Sequence, residues 1–283
     1  MIASAALAKR ALGMFGRVFP RCNMIAQAIA FNLFLAFFPA LLIAVGLATS
    51  PIGSRTSLFD LITDLTSFLP AGSQQIVSEF LIKRGPQAWK WALVGLTGTV
   101  LAGGQVMKLL MEGIHIIYGD RERISFLQRQ IRAMLLLLLT IAPLLAAAIL
   151  GVFGRPLRRW LAAELGKSSS VEALWAFFFH GVALLLAMIA LTIIYRWARP
   201  QERNLRNVLP GAVVATLLWW IADLGFGFYV RKMPYGIVYG GLAAVIGLLI
   251  WMELSTVIIF LGAAWNAEQA ERYNTARAGR VLV

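Results

Sequence analysis

Charge is scarce in this chain: 14% of its 283 residues are Asp, Glu, Lys or Arg, against 60% hydrophobic. A soluble globule of that length needs more polar side chains to cover its surface, so water is excluded as the main solvent. Cysteine is nearly absent. Cys22 stands alone, which excludes an intrachain disulfide and a cysteine-built zinc site. Histidine occurs only at His115 and His180, too few and too far apart in sequence to suggest a transition-metal centre. There is no GxSxG elbow, phosphate loop, HExxH pair or dinucleotide glycine fingerprint. The 13 acidic residues are scattered along the chain, whereas metal-assisted phosphodiester cleavage needs several carboxylates converging in water. The reading is therefore of a chain that is not an enzyme and carries no cofactor.

Long apolar blocks take the place of these features. Several exceed twenty residues, the length a helix needs to cross roughly 30 Å of hydrocarbon. The expected fold is all-α, a polytopic membrane protein with six transmembrane helices and one integral-membrane domain over residues 1–283. The spans are expected near 24–48, 91–118, 133–153, 172–197, 208–229 and 239–265. Between the first two, Leu58, Leu61, Ile62, Leu65, Phe68 and Leu69 recur at helical spacing, and Ile76, Val77, Phe80 and Leu81 do so beyond Pro70 and Gly72. Short amphipathic helices over 55–84 are expected there, lying on the outer surface or re-entering the membrane. The first span is expected to stay uncleaved, because no short apolar stretch ending in a cleavage site precedes it. A polar tail is expected after the sixth.

A net charge of +13 would suggest nucleic acid in a soluble chain. Here the basic residues lie between the apolar blocks, which suits lipid headgroups and topology instead. With the N-terminus inside, fifteen Lys and Arg fall on the cytoplasmic side and ten outside; this bias places both termini in the cytoplasm. Arg121, Arg123, Arg129 and Arg132 fill one inner loop and Arg199 and Arg203 another, as candidate contacts for anionic lipid.

An ionised side chain in hydrocarbon costs several kcal/mol unless paired or wet. Intramembrane charges are thus the most informative residues. Lys108, Glu112 and His115 are spaced four and three apart on the second span, so they share one helical face. Lys108 lies about 25 Å along its helix from Trp91, and Glu253 lies about 21 Å from Tyr239. If both spans start outside, the two share a depth. They are expected to neutralise one another or to line a common polar cavity. Asp223 lies nearer the outer side, toward Arg231 and Lys232. Asn32, Gln27 and Gln105, with His180, extend the candidate lining, although each is more commonly a partner in interhelical hydrogen bonds. A purely structural role for the charges, fixing helix register, stands as the alternative.

The segments AQAIAFNLFLAFFPALLIAVGL, GIHIIYGDRERISFLQRQIRAMLLLL and YGIVYGGLAAVIGLLIWMELSTVIIFLGAAWNAE resemble the YihY/virulence factor BrkB family of inner-membrane proteins. The last is the most specific, with an aromatic-glycine entry, a mid-span tryptophan and an LGAxxNAE ending. Gly113 departs from the pattern, where many members are expected to carry asparagine; ARPQERN only approximates the Pro-rich loop before the fifth span. The resemblance implies a bacterial inner-membrane location and a part in envelope integrity and serum resistance. Members have been proposed to move lipids or small solutes, and some have carried the label ribonuclease BN. Transport of a lipid or small polar solute is accordingly expected, with membrane lipids as partners and no nucleic acid. An envelope scaffold is the second reading and a membrane-bound hydrolase a distant third.

Overall fold

The computed structural model describes residues 2–48, 88–120, 125–143, 146, 169–199, 204–232 and 242–281. The expected amphipathic segment at 55–84 lies outside them. Every element among the described residues is helical: α1 (Ile2–Ala48), α2 (Ala88–Tyr118), α3 (Phe126–Pro143), α4 (Ser169–Ala198), α5 (Leu205–Lys232) and α6 (Leu242–Val281). Among the described residues, five helices are long and apolar enough to cross a membrane. A bent pair within α1, Leu12–Phe19 and Arg21–Phe37, makes a sixth if it counts as one span. The break falls at Pro20, which has no N–H to give the preceding turn.

Only 22–33% of each spanning window is buried inside the protein, so most of its apolar surface faces outward. On α5 the outward residues Leu217, Ile221, Leu224 and Phe228, each more than 50% exposed, recur at i, i+4, i+7 and i+11 as one stripe. In water such a stripe would be a large aggregation patch; acyl chains solvate it without cost.

Three boundaries differ from expectation, each for a local reason. Arg129 and Arg132 stand on α3 rather than in a loop, because Ser125 and Gln128 form a capping box. The Gln128 N–H donates to Ser125 Oγ and the Ser125 N–H to Gln128 Oε1, both at 3.3 Å. The C-terminal tail is helical to Val281, supported by the Arg272–Glu268 pair one turn apart, 2.6 Å. The N-terminal basic segment is helical from Ile2, and Arg17 reaches across to Glu271.

The chain divides into two compact units. Unit 1 holds residues 1–23, 110–220 and 257–283, and unit 2 residues 24–109 and 221–256. In unit 2, α2 approaches α1 at Gly98, where a Cβ would sit 3.0 Å from Pro39 Cγ, and Phe226 packs on Trp251 with centroids 5.5 Å apart. In unit 1, α5 and α6 cross almost backbone on backbone. A Cβ on Gly262 would lie 2.6 Å from Gly211 O and 2.7 Å from Ala215 Cβ, and one on Gly211 would overlap Gly262 O. Small residues permit this approach.

Asn266, 1% exposed, binds the same turn. Its Oδ1 accepts from the Gly211 N–H at 2.7 Å and its Nδ2 donates to Val208 O at 3.0 Å. Pro210 lies between those two residues and disturbs the helical ladder; the amide bridges the site with one donor and one acceptor. Below it, Tyr195 Oη donates to Ile259 O at 2.7 Å.

Two outcomes follow for melting in detergent. Asn266→Leu leaves a buried N–H and C=O without their side-chain partner and should cost about 1–2 kcal/mol, the upper range for such bonds between membrane helices. Gly262→Ala should cost about 1–3 kcal/mol by overpacking. Unchanged midpoints for both would mean that the crossing is not tight.

Candidate functional site

Polar side chains of unit 1 gather where α2 and α4 end. Helix α2 stops at Tyr118 because Gly119 adopts φ 74°, a conformation that costs glycine little. The Gly119 N–H donates to Ile116 O and the Asp120 N–H to His115 O, each at 3.1 Å. That pair of bonds is a Schellman motif, and it folds Asp120 back over the last turn. The Asp120 carboxylate then meets His115 Nδ1 at 3.0 Å and Arg199 Nε at 2.7 Å. Arg199 follows the last residue of α4, and its guanidinium lies 4.2 Å above the centre of the Tyr118 ring.

The electrostatics are self-consistent. Two helix C-termini present partial negative charge here, which favours the cation Arg199. Asp120 alone would be repelled. Partial burial raises its proton affinity, but the hydrogen bonds and charges of Arg199 and then His115 outweigh that, and its pKa lies below the usual carboxyl value. An ionised carboxylate only accepts, so the shared proton sits on His115 Nδ1. Beside this cluster Arg129 on α3 donates to Glu112 at 2.7 Å. Gly113, on the turn between, gives space to the Phe260 ring, which a Cβ would overlap, and its carbonyl receives the Cys22 thiol at 3.8 Å. An asparagine there would collide with Phe260.

The expected site residues separate accordingly. His115 is 5% exposed and bound to Asp120, while Glu112 is exposed and bound to Arg129. Lys108 and Gln105 are half-buried in unit 2. Glu253, also half-buried in unit 2, makes no hydrogen bond or ion pair among the described residues. Asp223 is exposed, and the side chains of Arg231 and Lys232 lie outside the described residues. Asn32 donates to Ala28 O one turn back at 2.8 Å, and Gln27 is exposed. Of the basic candidates, Arg129, Arg132 and Arg199 are placed; Arg121, Arg123 and Arg203, and the His180 side chain, lie outside the described residues.

Sequence reasoning missed Asp120, Arg17 with Glu271, and the role of Asn266. The Tyr-Gly-Asp at 118–120 was the available signal for the first, since glycine after an apolar run marks a helix end. Among the described residues no three His, Cys, Asp or Glu side chains converge to hold a metal ion.

Long apolar helices with outward greasy faces define a polytopic α-helical membrane protein. The chain belongs to the virulence factor BrkB family, whose pattern matches residues 19–281. It is 28% identical over 243 residues to the ribonuclease-like protein YfkH of Bacillus subtilis (strain 168), covering 84% of this chain and 86% of that one. It is 28% identical over 262 residues to a UPF0761 membrane protein of Alkalilimnicola ehrlichii, covering 90% of this chain and 56% of the relative. A UPF0761 membrane protein of Xanthomonas campestris pv. campestris (strain B100) is 26% identical over 253 residues, with 84% and 55% covered. The chain thus spans little more than half the length of the UPF0761 relatives. No solved structure matches it.

The carboxylate at the α2 end has a pH signature. Because the Asp120 pKa is depressed on folding, its stabilising contribution is complete above the unfolded value of about 3.9 and is lost as pH falls through the lower folded value. Wild type should melt above Asp120→Asn at neutral pH, and the gap should close as pH drops below about 4. A gap that persists undiminished in acid would disprove the pairing.

Proposed function

We propose that the protein moves an amphiphilic or small polar molecule, a lipid foremost, across the bacterial inner membrane, with both termini in the cytoplasm. The observation that carries this reading is Glu253. It is half-buried on α6, within an apolar spanning window, and makes no ion pair among the described residues. A carboxylate in that position is too costly to retain in a purely packed helix, and intramembrane ionisable groups usually mark a polar pathway. Lys108 and Gln105, half-buried in the same unit, supply further polar lining. In unit 1, Arg129, Arg132 and Arg199 would offer basic contacts to an anionic headgroup.

The excess of Lys and Arg on one set of loops supports the cytoplasmic placement of the termini. The name of the Bacillus relative would suggest hydrolysis of RNA. Transport is preferred because the ionisable groups described here sit in helices and at their ends, paired or in apolar surroundings, rather than converging in water. A scaffold in envelope assembly draws on the helical N- and C-terminal extensions joined by Arg17 and Glu271, which could present a surface to another protein.

Proteoliposomes with a fluorescent phospholipid in both leaflets, bleached from outside, test the lipid reading. Wild type should expose the inner pool faster than empty vesicles, and Glu253→Gln should slow this by about tenfold, the loss expected from about 1.4 kcal/mol of pathway stabilisation. Wild-type rates equal to empty vesicles would overturn lipid as cargo. Equal rates for wild type and variant would remove Glu253 from the pathway.

A further inference from the structure

The N-terminal helix of unit 1 has three faces of different chemistry. Met14, Val18 and Cys22, four residues apart, are 6%, 1% and 0% exposed and pack into the protein. Gly13 and Arg17 face the C-terminal helix, where Arg17 meets Glu271 and the two line an open groove with Glu268, Arg272 and Thr275. The third face carries Leu12, Phe15 and Phe19 at i, i+3 and i+7, which are 73%, 47% and 47% exposed. Phe15 and Phe19 stack on each other, centroids 5.2 Å apart. This helix cannot roll its aromatic face inward, because its buried face and its Arg17 bridge already fix it.

We infer that this third face is an interfacial anchor that docks on the anionic cytoplasmic leaflet, with Leu12, Phe15 and Phe19 inserted at the boundary between headgroups and acyl chains. Charge complementarity selects that occupant. The sequence carries Lys9, Arg10, Arg17 and Arg21 and no Asp or Glu before Asp60; Glu271 is matched by Arg17 and Glu268 by Arg272, so the segment keeps a basic surplus that attracts anionic lipid. The chemistry is that of a membrane-surface helix, with large apolar side chains on one side and Arg17 on another. Continuity supports it as well, since the same helix passes Pro20 into the apolar segment Arg21–Phe37. The inference rests on a membrane location with the N-terminus inside, and is independent of what is transported.

The test uses the full chain in vesicles, with an environment-sensitive thiol label and lipids carrying a quencher near the top of the acyl chain. Phe15→Cys and, as a second site, Leu12→Cys place the label on the apolar face. Gly13→Cys places it on the groove side, where a Cβ meets only Glu268 Oε1 at 4.0 Å. Wild type, with buried Cys22 alone, is the labelling blank. In vesicles containing phosphatidylglycerol, quenching at positions 12 and 15 should exceed that at 13 several-fold, and replacing that lipid by phosphatidylcholine should lessen it. Equal quenching at all three positions would overturn the anchor, and quenching indifferent to lipid charge would overturn its anionic selectivity. Shielding of 12 and 15 that appears only at high protein density would assign the face to a second copy instead.

Discussion

Hydrocarbon offers no hydrogen bonds, and this single constraint governs where polarity can survive in the chain. Backbone groups are satisfied inside helices, so each departure from helical regularity needs its own repair. The clearest repair is at Pro210. A proline inside α5 weakens the local ladder, and Asn266 on α6 supplies a donor to Val208 O and an acceptor to the Gly211 N–H. The amide can reach both only because Gly211 and Gly262 let the two backbones touch. Proline, asparagine and the two glycines therefore form one device. Removing the asparagine leaves unsatisfied groups at the crossing, and a side chain at either glycine brings an overlap. The NAE ending of the family-like motif has a physical meaning here: its asparagine binds another helix, and its glutamate, Glu268, faces the N-terminal helix and Arg272.

The same constraint explains the grouping of charge at helix ends. A carboxylate beside the C-terminus of α2 would be doubly unfavourable, repelled by the helix dipole and stripped of water. Asp120 is stable there because the αL turn at Gly119 delivers it to His115 and Arg199 together. Arg199 in turn lies over Tyr118, so one residue locks the end of α4 onto the end of α2. Arg129 and Glu112 make a second link, between α3 and α2. These contacts are local in space but join residues up to 79 positions apart, which gives this cluster more influence on topology than its exposure suggests.

Much of the architecture was legible in the sequence, because a spanning helix announces itself by length and composition alone. The all-α class and the spanning count follow from blocks of apolar residues, and no long-range contact needs to be known to see them. Polar partners were harder. Lys108, Glu112 and His115 share a helical face, as their spacing requires, yet His115 and Glu112 find their partners outside that helix's regular part, in Asp120 and Arg129. Periodicity reports which face a residue is on and says nothing of what another helix brings to it. The helical extensions at both ends were missed for a related reason: Arg17 and Glu271 are 254 residues apart, and neither segment is apolar enough to signal membrane or core. Gly113 shows the converse case. It departed from the expected asparagine, and its reason is steric, since Phe260 occupies the volume a side chain would need.

Set against these paired charges, Glu253 is informative by contrast. Glu112, Asp120, Glu268 and Glu271 each have an arginine within reach, and all lie in unit 1. Glu253 lies in unit 2, on a helix whose neighbouring positions are Met252, Leu254 and Trp251, and it is half-buried rather than turned fully outward. A structural role would be served better by an apolar side chain of the same volume, because a carboxylate there either stays charged at high desolvation cost or takes up a proton. Its presence accords with the role proposed for it, contact with water, an ion or a polar headgroup on the pathway.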